Sequence, residues 1–416
     1  MAFVFWSSIA LTAYVYVGYP LLLALWARLH CGLRIADCGF TQSPVSPKTE
    51  MPHPHRAWPG VSIVIAARNE GPRLASRLDN LLALDYPGPR QIIVVSDGST
   101  DETLDVLARY PRAVHAISMP SGGKAKALNI GVARATFDIV VFADARQVFA
   151  PDALRELVAP FADPAIGAVS GELLLDAESA LFSNRRAAND RRRGHAGQLR
   201  ASAIERRLAV RRRSVASTIA DGVGMYWRYE KRLRRLESAV GSTLGATGAI
   251  YAIRRSLWRP LPPDTILDDV LTPMRIVLQG YRAVFTDRAR AFDRAAVDAD
   301  QEARRKVRTL AGNYQILALE PRLLHPLRNP VWLQYVSHKL GRLAVPYALL
   351  TLFAASIVLA TARPLYMSAL AAQVAFYLLA GYGALLELGA RRQLSSTRSL
   401  ERPPVVAAVT VARETA

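Results

Sequence analysis

The first 27 residues contain no charged side chain, and this feature restricts more than any other what the chain can fold into. Two further runs, residues 343–362 and 364–386, are also uncharged, with Arg363 between them. Each run is long enough to cross a bilayer, which takes about 20 apolar residues. A cleaved signal peptide would instead have a basic start and a shorter apolar core than the first run has. The sequence therefore predicts three membrane spans.

Basic residues flank these runs mainly on one side. Two follow the first span, two precede the second and three follow the third: Arg28 and Arg34, Lys339 and Arg342, and Arg391, Arg392 and Arg398. Because loops rich in lysine and arginine stay in the cytosol, the pattern predicts an outside N-terminus and a cytosolic segment 28–342. The expected location is the cell inner (plasma) membrane, with several passes through it.

The segments beside the spans have patterns of their own. Residues 28–57 are interpreted as a linker, and residues 391–416 as a disordered cytosolic tail. Interfacial helices are predicted within residues 316–342. The segment 328–343 places five apolar or aromatic residues on one helical face, which are Val331, Trp332, Tyr335, Val336 and Leu340.

A formal net charge of +19 raises the question of a nucleic-acid partner. Its distribution argues against one, because residues 185–213 hold eleven arginines and almost no aromatic side chains for base stacking. The low apolar content of this stretch predicts a solvated Arg-rich insertion at about 181–220. Contact of the insertion with anionic lipid is the alternative. No nucleic acid is expected as a partner.

Between the spans, strand and helix patterns alternate up to residue 150. Apolar, β-rich runs occupy residues 61–67, 91–97, 113–119 and 138–144, and stretches with helical spacing occupy residues 74–84, 100–110 and 124–135. Continuous apolar strands separated by helices are typical of a parallel sheet that is covered on both faces. Ligands of such sheets bind beyond the carboxyl ends of the strands.

Polar residues are placed where that edge would lie. Three strands end in them, and the helix after the remaining strand begins with two glycines and a lysine: Arg68, Asn69 and Glu70; Asp97, Gly98 and Ser99; Asp144; and Gly122, Gly123 and Lys124. Any one of these residues alone is more simply explained as part of a capped turn. Together they offer acids for base and ribose hydroxyls and donors for phosphate, so they predict a sugar-nucleotide pocket.

Six motifs then occur in order along the chain: AARNE (66–70), VVSDGSTDET (94–103), GGKAKALN (122–129), FADA (142–145), GATGAIYAIRR (245–255) and LDDVLTPMRIVLQGYR (267–282). They resemble the motifs of membrane-bound family-2 glycosyltransferases, the group that includes polysaccharide synthases. The resemblance covers about residues 58–315. It implies an α/β fold, with a GT-A nucleotide-sugar-binding domain built on a mainly parallel sheet and attached to transmembrane α-helices. A Rossmann dehydrogenase is excluded, since no G-x-G-x-x-G follows the first strand.

The resemblance also implies roles for single residues. The nucleotide sugar would be bound by Ala67, Arg68, Glu70, Asp97, Gly98, Lys124, Asp144, Ala145 and Arg146. Asp268 and Asp269 match the family's Glu-Asp pair, whose second acid is the catalytic base. An inverting displacement needs such a carboxylate to take the proton of the acceptor hydroxyl. For Asp268 and Asp269, pairing at a helix N-terminus is the structural alternative, and only one of the two need be catalytic.

On the acceptor side, the resemblance implies a close-packed turn at Thr247, Gly248 and Ala249. Processive members carry a Q-x-x-R-W element, and its place is taken here by residues 305–309, with Arg305 and Arg308, or by residues 301–305 in another register; neither contains the tryptophan. The missing aromatic platform weakens the case for a processive polymer synthase.

The D-x-D element departs from the family in a second way. Asp144 matches its first acid and would be the metal ligand, for Mg or Mn, but Arg146 occupies the position of the second acid. An arginine cannot coordinate a cation. Two outcomes are open: Asp144 still holds the metal with Arg146 assisting, or Arg146 takes over part of the metal's charge on the diphosphate. An outward arginine in solvent is the simple alternative.

The predicted protein is therefore an enzyme, a membrane-anchored inverting glycosyltransferase of the cell envelope. It would move a sugar from a nucleotide diphosphate sugar, of the uridine type, to a glycan or lipid-linked acceptor in cell-surface polysaccharide synthesis. Its expected partners are the nucleotide sugar, the acceptor and the lipid bilayer. A polyprenyl-phosphate glycosyltransferase and a non-catalytic nucleotide-sugar-binding scaffold are the two alternatives.

Overall fold

A computed structural model of the chain describes residues 1–31, 58–175, 228–293 and 299–400. The Arg-rich insertion predicted at about 181–220 lies outside these ranges, as does most of the predicted linker 28–57. The described chain forms two compact units. One is Val15–Leu343, and the other is Met1–Tyr14 together with the described residues from Ala344 onward.

The larger unit is built on one eight-stranded sheet. Its strands are β1 Val61–Ala67, β2 Arg90–Asp97, β3 His115–Met119, β4 Ile139–Ala143, β5 Val148–Phe149, β6 Ile166–Leu175, β7 Ile250–Arg254 and β8 Arg282–Asp293, in the order β3-β2-β1-β4-β7-β6-β8-β5. The four strands predicted from the sequence form one parallel block, with β1 between β2 and β4. The later strands are mixed, because β7 pairs antiparallel with both β4 and β6. The predicted fold class is confirmed.

Some helices cover the sheet, and others form the long apolar segments. They are α1 Ala2–Ala13, α2 Tyr19–Cys31, α3 Gly71–Leu82, α4 Thr103–Ala108, α5 Lys124–Ala133, α6 Ala153–Val158, α7 over residues 228–240, α8 Asp268–Val277, α9 Ala299–Leu319, α10 Trp332–Leu359 and α11 Pro364–Leu400. A π-helical turn joins α1 to α2, and another lies inside α10 at Tyr335–Leu340.

Strand β1 explains why the sheet is covered on both faces. Its alternate residues Ile63 and Ile65 belong to one core cluster with Leu74 and Leu78 of α3, whereas Val64 belongs to a second cluster on the other face. Successive side chains of a strand point to opposite faces, so an uninterrupted apolar strand needs two covering layers. Helix α5 belongs to the second layer and fixes where Lys124 at its first turn can lie.

Three helices are long and apolar enough to cross a membrane by length and composition: Ala2–Leu29, Trp332–Leu359 and Pro364–Gly383. They correspond to the three predicted runs, but the second begins well before residue 343. The last of these helices continues as α11 through Leu400, so the first ten residues of the predicted tail are helical.

The predicted interfacial helix is therefore not a separate element. Its helical part is the first part of α10, and the face expected to meet the bilayer is largely turned toward protein. Val331 and Tyr335 are buried in the second core cluster, and Leu340 packs against that cluster. Amphipathic spacing identified a half-buried face correctly but could not tell a protein core from a membrane surface.

Candidate active site

The loops after β1 and β2 hold each other in place. Asn69 adopts a left-handed backbone with φ 53°, and its Oδ1 accepts a hydrogen bond from the backbone N–H of Thr100 at 2.8 Å. Its own N–H donates to Ser99 Oγ at 3.1 Å. Asparagine tolerates this conformation better than most residues. The first two polar strand ends thus form one interlocked edge, with Asp101 also accepting from the N–H of Gly71.

The residues predicted for the base pocket lie on this edge. Ala67 is buried at the end of β1, Arg68 is exposed, and Glu70 is half-buried with Arg73 Nη1 3.7 Å from its Oε2. Burial raises the pKa of Glu70, against the opposing charges of Arg73 and Arg146. An exposed cation, Arg68, and a partly desolvated acid, Glu70, therefore lie beside the end of β1.

Asp97, at the end of β2, organises the glycine turn that precedes α5. Its Oδ1 accepts hydrogen bonds from the backbone N–H groups of Gly122 at 2.6 Å and Gly123 at 3.1 Å. Gly98 beside it has φ 61°, and a Cβ there would lie 2.7 Å from the backbone nitrogen of Ser121. The buried carboxylate therefore sets where α5 begins. Contact of Asp97 with the nucleotide stays a prediction.

Lys124 is the point at which three separate elements meet. Its Nζ lies 3.1 Å from Asp268 Oδ1 at the start of α8 and 3.5 Å from Asp144 Oδ1 after β4. Burial alone would lower the pKa of Lys124, but Asp268 and then Asp144 outweigh it and raise that pKa well above its usual value. The lysine is thus a fixed cation beside two carboxylates. Beyond the end of β4, Ala145 is buried next to Asp144.

The two adjacent acids of α8 have different surroundings. Asp268 is 4% exposed and accepts from Tyr251 OH at 3.3 Å as well as pairing with Lys124. Asp269 is half-buried, and its side chain lies against Gly248, where a Cβ would be 2.7 Å from Asp269 Oδ2. Burial and then the charge of Asp268 raise the pKa of Asp269 to about 6, although Lys124 lowers it. Asp268 is thus held by two partners, whereas Asp269 has a raised pKa and lies beside the turn at Gly248. The role of Asp269 as catalytic base stays a prediction.

The turn beside Asp269 is held by residues that the sequence analysis did not single out. The backbone N–H of Thr247 donates to Ser170 Oγ at 2.9 Å, and Arg234 Nη1 donates to Thr247 Oγ1 at 2.9 Å. Ala249 is buried immediately before β7. Arg234 comes from α7, 13 positions before Thr247, and belongs to none of the six motifs.

Arg305 and Arg308 are exposed on α9. One turn after Arg308, a Cβ on Gly312 would lie 2.5 Å from Leu267 Cγ, so α9 passes close to the residue before the Asp268-Asp269 pair. The structure thus brings this helix to the start of α8. An acceptor role for the two arginines stays a prediction.

Arg146 forms an ion pair and does not simply extend into solvent. Its Nε lies 3.3 Å from Asp293 Oδ2, and Gln147 Nε2 donates to the same oxygen at 2.9 Å. Asp293 ends β8, 147 positions further along the chain, and the sequence analysis did not identify it. The D-x-D turn is therefore tied to β8 through Arg146.

For a metal ion, the donor set of this turn is small. Among the residues that the structure describes, no three His, Cys, Asp or Glu side chains converge as a metal site. Asp144, with 30% of its side chain exposed, can supply one carboxylate oxygen. This fits a hard divalent cation such as Mg²⁺ that takes its other ligands from diphosphate oxygens and water.

A second cation, also missed from the sequence, is buried beneath this turn. Arg77 of α3 is 2% exposed, and its guanidinium lies 4.0 Å from the centre of the Phe149 ring. Burial lowers its pKa to about 9, with Asp144 opposing the shift. Its Nη1 donates to Asn80 Oδ1 at 2.8 Å. The Arg77 guanidinium is therefore a buried cation whose charge interacts with that of Asp144.

The site can be compared with known proteins. The family model for "Glycosyltransferase like family 2" matches residues 59–312. An N-acetylglucosaminyltransferase of Rhizobium sp. (strain N33) is 34% identical over 122 residues, which are 28% of this chain and 27% of that protein. A beta-monoglucosyldiacylglycerol synthase of Synechocystis sp. is 36% identical over 135 residues, 31% of this chain and 28% of that protein.

A poly-beta-1,6-N-acetyl-D-glucosamine synthase of Staphylococcus epidermidis is 30% identical over 133 residues, 31% of this chain and 32% of that protein. The matched part thus spans about a third or less of the length of these relatives.

Among solved structures, the mannosyltransferase PcManGT from Pyrobaculum calidifontis, in complex with GDP-Man and Mn²⁺, has a TM-score of 0.60 and 25% identity. That match covers 95% of this chain and 98% of the other. The family model spans more than half of the chain and includes Lys124, Asp144 and Asp269. The chain is therefore a glycosyltransferase and belongs to glycosyltransferase family 2.

Proposed function

We propose that this glycosyltransferase is a membrane-anchored, inverting enzyme that transfers a sugar from a nucleotide diphosphate sugar, of the uridine type, to a glycan or glycolipid acceptor in cell-surface polysaccharide synthesis. One observation carries the proposal. Lys124 lies within ion-pair distance of both Asp144 and Asp268, immediately before Asp269. A cation for the leaving diphosphate and a base for the acceptor are therefore neighbours.

The proposed step is a single displacement. The acceptor oxygen forms a bond to the anomeric carbon as the bond from that carbon to the diphosphate oxygen breaks. The electron pair of the broken bond leaves with the nucleoside diphosphate, and the acceptor proton passes to Asp269. Positive charge at Lys124 stabilises the leaving group in the transition state. The raised pKa of Asp269, at about 6, suits a base that works near neutral pH.

A divalent metal, Mg or Mn, is proposed as cofactor, with Asp144 as the residue that would hold it. Bound there, the metal would neutralise charge on the diphosphate. Arg146 is assigned the supporting role. Its ion pair with Asp293 fixes the turn that presents Asp144, and its electrostatic effect reaches Glu70.

Similar proteins bear on the identity of the donor and of the acceptor. The names of two relatives, an N-acetylglucosaminyltransferase and a glucosyl-lipid synthase, support a surface glycan or lipid as acceptor. PcManGT holds GDP-Man, so the proposal of a uridine-type donor rests on the sequence resemblance and not on that structure. The scaffold alternative is less well supported, because a decayed site would have no reason to keep a desolvated acid and a compensating lysine together.

We also propose that the three apolar helices anchor the enzyme in the inner membrane with residues 28–342 in the cytosol. The support is the basic flanks of the spans and the single Arg363 between the last two.

The base assignment predicts a specific kinetic defect. Asp269→Asn removes the proton acceptor but keeps the shape of the side chain, so turnover should fall by on the order of 10²–10⁴. Nucleotide affinity, measured by calorimetry, should barely change. Equal losses of affinity and turnover would instead make Asp269 a structural acid.

The pH dependence of activity gives a second test of the base, with Asp268→Asn as the matched variant. In the wild type, activity should fall on the acid side with a midpoint near pH 6, since Asp269 must be deprotonated and its pKa is raised to about 6. Asp268→Asn removes a negative charge that raises this pKa, so the acid limb should move to lower pH. An unchanged or higher midpoint in Asp268→Asn would contradict the assignment.

The D-x-D departure predicts an effect on metal binding. Arg146→Asp restores a second carboxylate beside Asp144 and should raise the apparent metal affinity, whereas Arg146→Ala should lower turnover most when metal is limiting. Titration of Mn²⁺ in the presence of a nucleoside diphosphate measures the metal affinity, and transfer assays over a range of Mn²⁺ concentrations measure turnover. Arg109→Ala, an exposed arginine at the end of α4, serves as the charge control. Unchanged titrations and turnover in both Arg146 variants would leave Arg146 without a role in catalysis.

Topology is tested by labelling. In a variant with Cys31 and Cys38 replaced by serine, Arg363→Cys should react with an impermeant thiol reagent only from outside intact cells. A tag after residue 416 should be reached only from the cytosol. Labelling of position 363 solely from the cytosolic side would refute the proposed orientation.

A further inference from the structure

A cavity of about 310 Å³ lies beside the last turn of α8. We call it the α8 pocket, and the residues that line it are Arg259, Arg275, Leu278, Gln279, Glu320 and Arg322. None of them belongs to the candidate active site. Arg275 follows Asp269 by six positions, which is about 9 Å along a helix that rises about 1.5 Å per residue. The α8 pocket is therefore separate from the Asp268-Asp269 pair.

The α8 pocket carries more positive than negative charge, because three of its residues are arginines and one is an acid. The acid, Glu320, pairs with Arg275 Nε at 3.1 Å and with Arg322 Nε at 2.5 Å. Burial alone would raise the pKa of Glu320, but hydrogen bonds from Arg322 and Arg275 outweigh it and lower that pKa. Glu320 is therefore a carboxylate that balances one of three positive charges. The described residues that line the pocket supply no second acid for the other two.

Glu320 also orients the two guanidinium groups that it binds. Both are held through Nε, one on each carboxylate oxygen, and Arg275 Nη1 donates to the carbonyl oxygen of Pro260 at 3.2 Å. The side chain of Glu320 is 5% exposed, whereas that of Arg322 is 53% exposed. The terminal nitrogens of Arg322 form no hydrogen bond within the part of the chain that the structure describes. An arginine fixed in this way can bind phosphate oxygens with its remaining N–H groups.

The α8 pocket adjoins the start of the membrane-length helix α10. Arg322 belongs to the turn Pro321–Leu324, and Trp332 Nε1 at the start of α10 donates to the carbonyl oxygen of Leu324 at 2.9 Å. The segment between the turn and α10 exposes apolar side chains, since Leu324 is 41% and Leu327 is 91% exposed. A tryptophan at the end of an apolar helix is typical of the membrane–water interface, where lipid phosphates lie.

We propose that the α8 pocket is a phosphate-binding site outside the active site, in which Arg259, Arg275 and Arg322 bind the phosphate group of an anionic lipid headgroup or of soluble phosphate. The phosphate is bound and not transformed, because it lies away from Asp269. The position beside α10 favours the lipid, since anionic headgroups of the cytosolic leaflet attract basic groups near a membrane helix. That preference alone rests on the proposed membrane anchoring. A lipid bound here would attach the catalytic domain to the headgroup layer.

Binding to the full chain in detergent micelles tests the proposal. Inorganic phosphate is titrated by calorimetry against chloride at equal ionic strength. Phosphatidylglycerol is compared by native mass spectrometry with diacylglycerol, which has no phosphate. At least one phosphate probe should bind, and the double variant Arg259→Ala/Arg322→Ala should weaken its binding by about 10- to 100-fold, the loss expected for charge-assisted contacts. Binding of phosphatidylglycerol but not of inorganic phosphate would identify the lipid as the source, and the converse would identify soluble phosphate.

Two controls accompany this experiment, and thermal unfolding checks that each variant is folded. Arg109→Ala/Arg255→Ala removes two exposed arginines that do not line the pocket, so it should bind like the wild type. Lys124→Met alters the proposed diphosphate site and should leave phosphate binding in the α8 pocket intact. Because binding is measured without sugar transfer, failure of the proposed reaction would not change these results.

Three results would overturn the proposal. The first is that neither phosphate probe binds. The second is equal affinity in the wild type and in Arg259→Ala/Arg322→Ala, which would show that the arginines of the pocket do not hold the phosphate. The third is loss of binding in folded Lys124→Met, which would place the phosphate in the active site.

Discussion

The contact on which the site depends is the shared ion pair of Lys124 with Asp144 and Asp268. Asp268 is almost fully buried, and an isolated buried carboxylate would be strongly unfavourable. Lys124 compensates this charge, and the two ion pairs hold the lysine at the carboxyl end of β4. Three elements that are distant in sequence, α5, the β4 end and α8, are thereby fixed relative to one another. Asp97 fixes the start of α5, because its carboxylate accepts hydrogen bonds from the glycine turn before that helix.

The same contact separates the roles of two adjacent acids. Asp268 already has two partners, because Lys124 Nζ lies 3.1 Å from its Oδ1 and Tyr251 OH donates to its Oδ2 at 3.3 Å. Its negative charge nevertheless raises the pKa of Asp269. Gly248 allows Asp269 to lie close to the turn, because any larger residue would collide with the carboxylate. The charge of Asp268 therefore acts on Asp269. In the proposed mechanism, this effect would link the donor side of the site to the acceptor side.

Much of this could be predicted from the sequence, because it depends on local patterns. Short segments of sequence are enough to predict the apolar strands β1 to β4, the glycine turn before Lys124 and the polar strand ends. What could not be predicted depends on pairing between side chains of which one belongs to no recognised motif. Asp293 binds Arg146 across the sheet, and Arg234 reaches Thr247 from α7. The face with Val331 and Tyr335 was expected at the membrane, since periodicity reveals burial but not what buries it.

The most direct test of this account is the affinity of the chain for UDP when Lys124 is changed. Lys124→Met removes the cation but keeps the length of the side chain, and UDP binding by calorimetry should weaken by about 10- to 100-fold. Lys126→Met, an exposed lysine on the same helix, should bind like the wild type. Thermal unfolding of both variants checks that the fold is retained. A folded Lys124→Met variant with wild-type affinity for UDP would contradict the claim that this lysine forms the diphosphate site.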